Sequence, residues 1–256
     1  MNRKALAYVV GVLYGDGTLN KTTRIKNNRS YCDYRIKLSV IDKDFADYFR
    51  EQLTALKIKT HYSFEKSKVP KWRDIHTVQS QRRESYVFFL KYKTPSFIKS
   101  LNRKEKIECL KGLFDSEGSV SKDRYNINIS QSQNSVATPL IAYLLKSLKI
   151  DYKLREQKRK GRAVIECDFR IFGIEIIKFH SLLKRFTIKR KEETYQKLLT
   201  DRQIERWDDK SLQFIYRNYK KMAHKELGEK LNRTTRSIDK KIWRLGLARK
   251  QNGTRS

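Results

Sequence analysis

Residues 5–19 read ALAYVVGVLYGDGTL, and residues 106–120 read KIECLKGLFDSEGSV. The two stretches align without gaps, so that Asp16 of the first corresponds to Glu117 of the second. Each has the length of a helix and ends in a glycine, which predicts two similar helices closed by a glycine in the left-handed conformation. A repeated segment of this kind predicts a duplicated architecture.

The repeat continues beyond these two helices. Tyr34–Val40 and Tyr125–Ser130 alternate apolar and polar residues, which is the period of a half-buried strand. Between Asp16 and the first of these strands, we predict a polar loop. Helical stretches come next, at about Lys43–Leu56 and Thr138–Leu148. The same order of elements in both halves supports the duplication.

A second pair of strands is predicted in each half. Ala163–Ile171 alternates well, and the basic turn Lys158–Arg162 joins it to Tyr152–Gln157 as a hairpin. The corresponding sequence of the first half falls at about Lys71–Leu90. Each half therefore reads as αββαββα, which predicts an α+β fold with a pseudo-twofold relation between its repeats.

A third region begins near position 206, where apolar periodicity predicts three short helices. Their apolar faces are Leu212, Ile215, Tyr216 and Tyr219, then Ala223, Leu227 and Leu231, then Ile238, Ile242 and Leu245, the last helix opened by Thr234 and closed by Gly246. The tight turn at 231–234 predicts a helix-turn-helix unit. The predicted domains are therefore a first repeat at 1–100, a second at 101–203 and an all-α C-terminal domain at 206–256.

The net charge of +31 is the strongest signal in the composition. Residues 206–256 hold 15 Lys/Arg and 5 Asp/Glu, so the repeats and the C-terminal region are both basic. A charge of this size favours a polyanionic partner, and nucleic acid is the most common one. We find no apolar run that could span a membrane and no cleavable signal peptide, which predicts an intracellular protein without a membrane partner.

The three cysteines, Cys32, Cys109 and Cys167, fit no zinc-binding spacing. An odd number argues against a disulfide framework. We predict that each is a small buried residue without a metal or redox role.

The two motif helices carry small residues one turn apart, which are Gly11 and Gly15 on the first and Gly112 and Ser116 on the second. If the helices pack by these faces, Asp16 and Glu117 meet at adjacent helix C-termini, where the helix dipole disfavours carboxylates. Two acids in that place need a cation, and their oxygen atoms suit Mg²⁺. We therefore predict a metal site at Asp16 and Glu117, with Gly15 and Ser116 beside them. The alternative is that both acids are ordinary surface residues after two core helices.

The segments Val9–Gly17 and Leu110–Gly118 resemble two copies of the LAGLIDADG motif of homing endonucleases. The resemblance extends over roughly residues 5–200, and it departs at Tyr14-Gly15, where the family typically has Asp-Ala. It implies saddle-shaped sheets that grip DNA, cleavage of both strands across the minor groove, and metal binding by the acid before the final glycine. These acids are Asp16 and Glu117.

The resemblance also implies a lysine near the active centre, just before the last helix of each repeat. By position this is Lys189 in the second repeat, and Lys104 or Lys106 in the first. For Lys189 the alternative is a place in a solvated run of charges. Gln131 directly follows the strand that ends at Ser130, and we expect it to hold water at the site.

Polar side chains on one face of each sheet are candidates for DNA contacts, since Arg suits guanine and Asn or Gln suits adenine. These candidates are Arg35, Lys37, Ser39, Asn126, Asn128, Ser130, Lys153, Arg155, Gln157, Asp168 and Arg170. In the C-terminal region they are Thr235, Arg236, Ser237, Lys240 and Arg244. The alternatives are a solvated sheet face and a protein-binding C-terminal module.

The sequence therefore predicts a monomeric endonuclease of the intron-homing type that requires Mg²⁺ (or Mn²⁺). Its partner would be double-stranded DNA with a long site, asymmetric or pseudo-palindromic. The alternative is a nucleic-acid binder that does not cut, either an RNA maturase or a WhiA-like regulator. Regulators of that type join a similar fold to a helix-turn-helix but generally lack the acids.

Overall fold

The chain divides into two compact units, Met1–Leu199 and Thr200–Ser256. The computed structural model describes residues 1–26, 29–69, 73–158, 164–203, 207, 209–245 and 247, with side chains for all of these except 26, 29, 201–203, 209 and 244. Most of the predicted turn at 158–162, and Gly246, lie outside the described residues.

Two successions of helices and strands make up the first unit, except that the last four residues of the final helix belong to the second unit. The first is α1 (Arg3–Tyr14), β1 (Thr18–Lys26), β2 (Arg29–Val40), α2 (Lys43–Ala55), β3 (His61–Glu65), β4 (Ile75–Ser80), α3 (Arg83–Tyr92) and α4 (Pro95–Ser100). The second is α5 (Arg103–Glu117), β5 (Gly118–Ser121), β6 (Asn126–Ser132), α6 (Ala137–Ser147), β7 (Lys153–Lys158), β8 (Ile165–Phe172), α7 (Ile174–Leu183) and α8 (Lys189–Gln203). This order confirms the predicted α+β fold of two αββαββα repeats.

Each repeat forms a four-stranded antiparallel sheet, in the order β1-β2-β4-β3 and β5-β6-β8-β7. Alternate residues of the central strands enter one shared core, and examples are Ile36, Leu38 and Val78 in the first sheet and Ile127, Ile129 and Phe169 in the second. Since side chains of a strand alternate between its faces, the intervening polar residues lie on the opposite face of each sheet.

The two sheets can be superposed position by position from their registers. Thr18 lies two residues after Asp16 and pairs with Lys37, whereas Ser119 lies two residues after Glu117 and pairs with Asn128. Lys37 and Asn128 therefore occupy equivalent positions. Counting along the paired strands from these two residues gives the equivalents of all remaining positions in the two sheets.

Helices α1 and α5 pack with their backbones in direct contact. A Cβ atom added to Gly11 would lie 2.2 Å from the carbonyl oxygen of Cys109, and one added to Gly112 would lie 2.3 Å from that of Tyr8. At both positions the other helix's backbone occupies the space of a side chain. The small residues of the two motifs thus set the distance between the helices.

The glycines predicted to cap these helices, Gly17 and Gly118, are not left-handed, since among the described glycines only Gly173 has a positive φ. The C-cap of α1 is Gly15, with φ −106°, and that of α5 is Gly118, with φ −87°. The glycines are required for space instead, because a Cβ atom on Gly118 would lie 2.1 Å from Cδ2 of Phe114. A Cβ atom on Gly17 would similarly lie 2.9 Å from the carbonyl oxygen of Val12.

Two predictions for the first repeat were wrong in detail. The polar stretch after Asp16 is not a loop but strand β1, and its polar side chains suit an edge strand in a long hairpin with β2. The region 71–90 was predicted to hold both outer strands, but β3 lies earlier and a helix begins at Arg83. That helix buries Phe89, so its apolar residues follow a helical period.

The second unit contains α9 (Asp209–Asn218), α10 (His224–Lys230) and α11 (Thr235–Arg244). Ile215, Leu227, Ile238 and Ile242 form its buried core. The oxygen of Thr234 caps α11 as predicted, accepting a hydrogen bond from the N–H of Ser237. Tyr216 was predicted to lie on the apolar face of its helix, but it is 68% exposed. It lies about 100° around the helix from Ile215, and Phe214 packs against the core instead.

Cys109 and Cys167 are buried as predicted, but Cys32 is exposed, because it lies in the part of the β1–β2 hairpin that extends beyond the core. Among the described residues, no helix is both long and apolar enough to cross a membrane.

Replacing Gly112 with alanine should force α1 and α5 apart, because the added methyl group meets the backbone at Tyr8. We expect a loss of about 1–3 kcal/mol in the free energy of unfolding, as for other overpacked core sites. Urea denaturation monitored by circular dichroism measures this loss. Lys146→Ala, on an exposed position of α6, is the control and should leave the midpoint nearly unchanged. Equal midpoints for the two variants would contradict the contact.

Candidate active site

The ends of α1 and α5 bring the two motif acids together. A Cβ atom added to Gly15 would lie 2.4 Å from Cβ of Ser116 and 3.1 Å from Cγ of Glu117. The Ser116 hydroxyl donates to the carbonyl oxygen of Gly112, one turn back, and so remains on its own helix. Asp16 follows Gly15 directly, so both carboxylates lie at one composite end of the helix pair.

The surroundings of these acids disfavour negative charge. Partial desolvation raises the pKa of Asp16, although Lys191 opposes the shift. Desolvation also raises the pKa of Glu117, and the neighbouring charge of Asp16 raises it further. Two carboxylates that repel each other at helix C-termini form a site that a cation would stabilise.

Gln131 contacts the site directly. It lies on β6, and its side-chain amide Nε2 donates to Oε1 of Glu117 at 3.1 Å. Its own Oε1 accepts from the N–H of Ser132, which fixes the amide orientation. The register equivalent in the first repeat is Val40, which offers no such donor to Asp16. The two halves of the site are therefore chemically unlike.

The lysine that the structure brings to the helix ends is Lys191, not Lys189. The ammonium of Lys191 donates to the carbonyl oxygens of Phe114 and Asp115, at 2.7 and 2.8 Å, and the residue is 4% exposed. These carbonyls belong to the last turn of α5, where a positive charge is favourable. The Lys189 side chain is 79% exposed and lies near Glu193. Lys104, also proposed by position, is exposed, and Lys106 lies over the ring of Tyr143.

The position of Lys191 was detectable in the sequence. Ile188, Lys191, Tyr195 and Leu198 recur at helical spacing, and all four are buried. Lys191 thus shares the apolar face of α8, whereas Lys189 lies off it. The charge run around these lysines obscured that periodicity.

Beneath the site, a buried polar pair joins the two motif helices. The Tyr8 hydroxyl donates to Oδ2 of Asp115 at 2.8 Å, and Asp115 is 2% exposed. Burial raises the pKa of Asp115 to about 6 and lowers that of Lys191 to about 8. A tyrosine of α1, an aspartate of α5 and a lysine of α8 therefore form one polar cluster inside the core.

The oxygen donors at the helix ends fit a hard divalent cation. Mg²⁺ typically takes one or two carboxylates and completes its coordination with water and phosphate oxygens. Asp16 and Glu117 supply such a pair, and the backbone of Gly15 and Ser116 adjoins them. Within the described part of the chain, no group of three or more His, Cys, Asp or Glu residues could enclose a metal completely. Two carboxylates suit an ion that completes its coordination with water and phosphate oxygens.

The predicted polar faces of the two sheets are present. Arg35, Lys37 and Ser39 alternate with core residues of β2, and the hydroxyls of Ser39 and Thr77 lie 2.9 Å apart. Asn128 and Ser130 alternate with core residues on β6, while Lys153 and Arg155 are exposed on β7.

Two of the predicted contact residues are not accessible on this face. Asn126 is 2% exposed and Asp168 is 3% exposed. The Asp168 carboxylate is covered by the donors that surround it, including the guanidinium of Arg170 and the hydroxyl of Ser130. The alternation identified the face of each strand correctly, but it carried no information on how neighbouring side chains cover one another.

In the second unit, most of the predicted contact residues lie on the surface of α11. Thr235, Arg236 and Lys240 are exposed, and Ser237 is half-buried. The side chain of Arg244 lies outside the described residues. Sequence reasoning missed Trp243, which is 74% exposed on the same helix.

Lys191→Met should destabilise the first unit, because it leaves two carbonyls and the buried Asp115 without their cation. We expect a loss of about 2–4 kcal/mol in the free energy of unfolding. Lys189→Met is the matched control two residues away, and its exposed side chain predicts little change. Urea denaturation of both variants makes the comparison. A greater loss in the Lys189 variant would contradict the assignment.

The fold can be compared with the folds of known proteins. Residues 104–187 match the LAGLIDADG-like domain family. Two uncharacterized proteins of Methanocaldococcus jannaschii are similar to the chain. One is 27% identical over 207 residues, or 76% of this chain and 71% of the relative, and the other is 29% identical over 163 residues, or 60% and 58%. The chain thus spans less than two thirds of the second relative.

Solved structures share the fold at low sequence identity. Variants of the homing endonuclease I-DmoI superpose with a TM-score of 0.54 at 21% identity, over 72% of this chain and 98% of theirs. I-DmoI in complex with DNA and Ca gives 0.55 at 20%, over 76% and 97%. Full-length WhiA from Thermotoga maritima gives 0.54 at 18%, over 96% and 90%. The chain therefore matches the LAGLIDADG-like domain model over residues 104–187 and shares its fold with I-DmoI and WhiA.

Proposed function

We propose that this chain is a site-specific DNA endonuclease that hydrolyses phosphodiester bonds with divalent metal ions. The observation that carries the proposal is the meeting of Asp16 and Glu117 at the joined ends of α1 and α5. Two acids that repel each other at that place are unfavourable for stability, so a catalytic role would explain their presence. Intron homing is the biological role that we assign to this activity.

Asp16 and Glu117 would hold the metal ions, with Mg²⁺ or Mn²⁺ as the candidates. When bound, such ions activate water and stabilise the leaving oxygen in phosphodiester hydrolysis. Gln131 holds the Glu117 carboxylate in one orientation, and it can also position water. Lys191 stabilises the carbonyl end of α5 and lowers the local negative potential.

The partner would be double-stranded DNA, bound along the polar faces of the two sheets. Lys37, Arg155 and Lys153 supply positive charge there, which favours contact with phosphates. Solved I-DmoI complexes contain DNA together with Mn or Ca, which supports both the DNA partner and the divalent metal. A single chain with both repeats would act as a monomer.

A second candidate function is DNA binding without cleavage, as in a WhiA-like regulator. The alignment with WhiA favours it, because it covers 96% of this chain and includes the C-terminal helices. The presence of both acids favours the endonuclease instead. An RNA maturase would use the same sheet faces for a different nucleic acid.

Asp16→Asn and Glu117→Gln should each abolish metal-dependent cleavage while retaining binding, since both changes remove charge without changing shape. We expect cleavage rates to fall by at least about 100-fold. The substrates are duplexes that the wild-type chain selects from a random pool, incubated with Mg²⁺. Asp123→Asn, in the exposed β5–β6 turn, removes the same charge and should cut normally. Wild-type chain that binds its selected duplex but leaves it intact would favour the regulator.

The C-terminal unit would form a second contact with DNA. Helix α11 would be its recognition helix, as in a helix-turn-helix domain. Arg236, Lys240 and Trp243 are exposed on this helix. Deleting residues 206–256 should therefore weaken binding and reduce its salt dependence, because phosphate contacts are lost. Residual cleavage should remain. Filter binding at several salt concentrations measures the change. A folded truncation with full affinity would contradict the second contact.

A further inference from the structure

The polar face of the second sheet has a carboxylate at its centre. Asp168 lies on β8 and is 3% exposed, although it points away from the hydrophobic core. Its Oδ1 accepts from the Ser130 hydroxyl at 2.8 Å and from Nδ2 of Asn128 at 3.2 Å. Its Oδ2 accepts from a guanidinium nitrogen of Arg170 at 2.8 Å and from Nε2 of Gln157 at 3.4 Å. Asp168 thus accepts hydrogen bonds from four residues that were predicted to contact DNA.

These hydrogen bonds favour the ionised form of the Asp168 carboxyl group. Burial raises the pKa of Asp168, but the hydrogen bonds from Ser130, Arg170 and Asn128 together outweigh burial, so the pKa lies below its ordinary value. The guanidinium of Arg170 therefore has a fixed counter-charge. Its side chain is 15% exposed, so it is restrained while keeping a surface open to a ligand.

The fold itself does not require an acid at this place. By register, the equivalent of Asp168 in the first sheet is Thr77, and the equivalent of Arg170 is Gln79. At that position the hydroxyls of Thr77 and Ser39 lie 2.9 Å apart. The first sheet forms the same four-stranded ladder without a carboxylate at this position, although Asp33 accepts a hydrogen bond from Arg35 elsewhere on its polar face. Asp168 also places negative charge on the face that would meet phosphates, so its presence needs another explanation.

We propose that Asp168 is a positioning residue that fixes Arg170 in the conformation in which it reads a base edge. This inference rests on the proposed DNA binding. A free arginine loses rotamer entropy when it binds, whereas one already held by a carboxylate loses less. A guanidinium held in one plane can also distinguish guanine from the other bases, because it donates to the O6 and N7 acceptors of guanine. Asp168 thus contributes to sequence specificity rather than to general affinity.

The test compares base preference with general affinity in the full chain. Wild-type protein first selects duplexes from a random pool, and libraries randomised in each half of the selected sequence then give a base-preference profile. Asp168→Asn should lose about tenfold discrimination at positions in one half only. Its affinity for a scrambled duplex should stay equal or rise, because a negative charge is removed. Asp123→Asn is the control with the same charge change, and it should keep the whole profile.

A second variant separates positioning from other roles. In an Arg170→Gln background, Asp168→Asn should have little further effect, because the residue to be positioned is gone. The melting temperature of each variant confirms folding. An unchanged profile for Asp168→Asn would overturn the inference, and so would an equal loss in the Arg170→Gln background. A wild-type chain that selects no sequence at all would contradict site-specific binding itself, which is a distinguishable result.

Discussion

The backbone contact between α1 and α5 is the constraint on which the rest of the structure depends. Gly11 and Gly112 allow each helix to lie against the other's carbonyl groups. This spacing places the two helix ends, and hence Asp16 and Glu117, side by side. It also relates the two sheets, since β1 and β5 begin directly after these helices. The site and the sheets that flank it therefore share one geometric origin.

Electrostatics at the helix ends oppose this arrangement, and the surrounding residues compensate only in part. Lys191 satisfies two carbonyls of α5 and counters the buried Asp115. It also opposes the pKa increase of both acids, which nevertheless remains. Stability alone would favour neutral residues at positions 16 and 117. Uncompensated electrostatic repulsion of this kind is expected where a protein keeps charges for binding or catalysis.

Much of the fold could be predicted because its signals are local. The duplicated helix and the alternating strands depend on the spacing of apolar residues, which the sequence displays directly. Strand β1 was missed because its two apolar residues, Leu19 and Ile25, are separated by five polar ones, so it lacks that spacing. Lys191 and the buried state of Asp168 were missed for another reason. Whether a charged residue is exposed depends on partners such as Phe114 for Lys191 and Ser130 for Asp168, which are distant in sequence.

The two repeats are alike where they pack and unlike where they face outward. Core positions of β2 and β6 hold similar apolar residues, such as Ile36 and its equivalent Ile127. Packing constrains these positions in shape and volume. No such constraint acts on the outer faces, where Lys37 is equivalent to Asn128 and Thr77 to Asp168. Two halves with different side chains offer different contacts to a duplex. The proposed DNA target should therefore lack twofold symmetry, even though the fold that binds it is nearly symmetric.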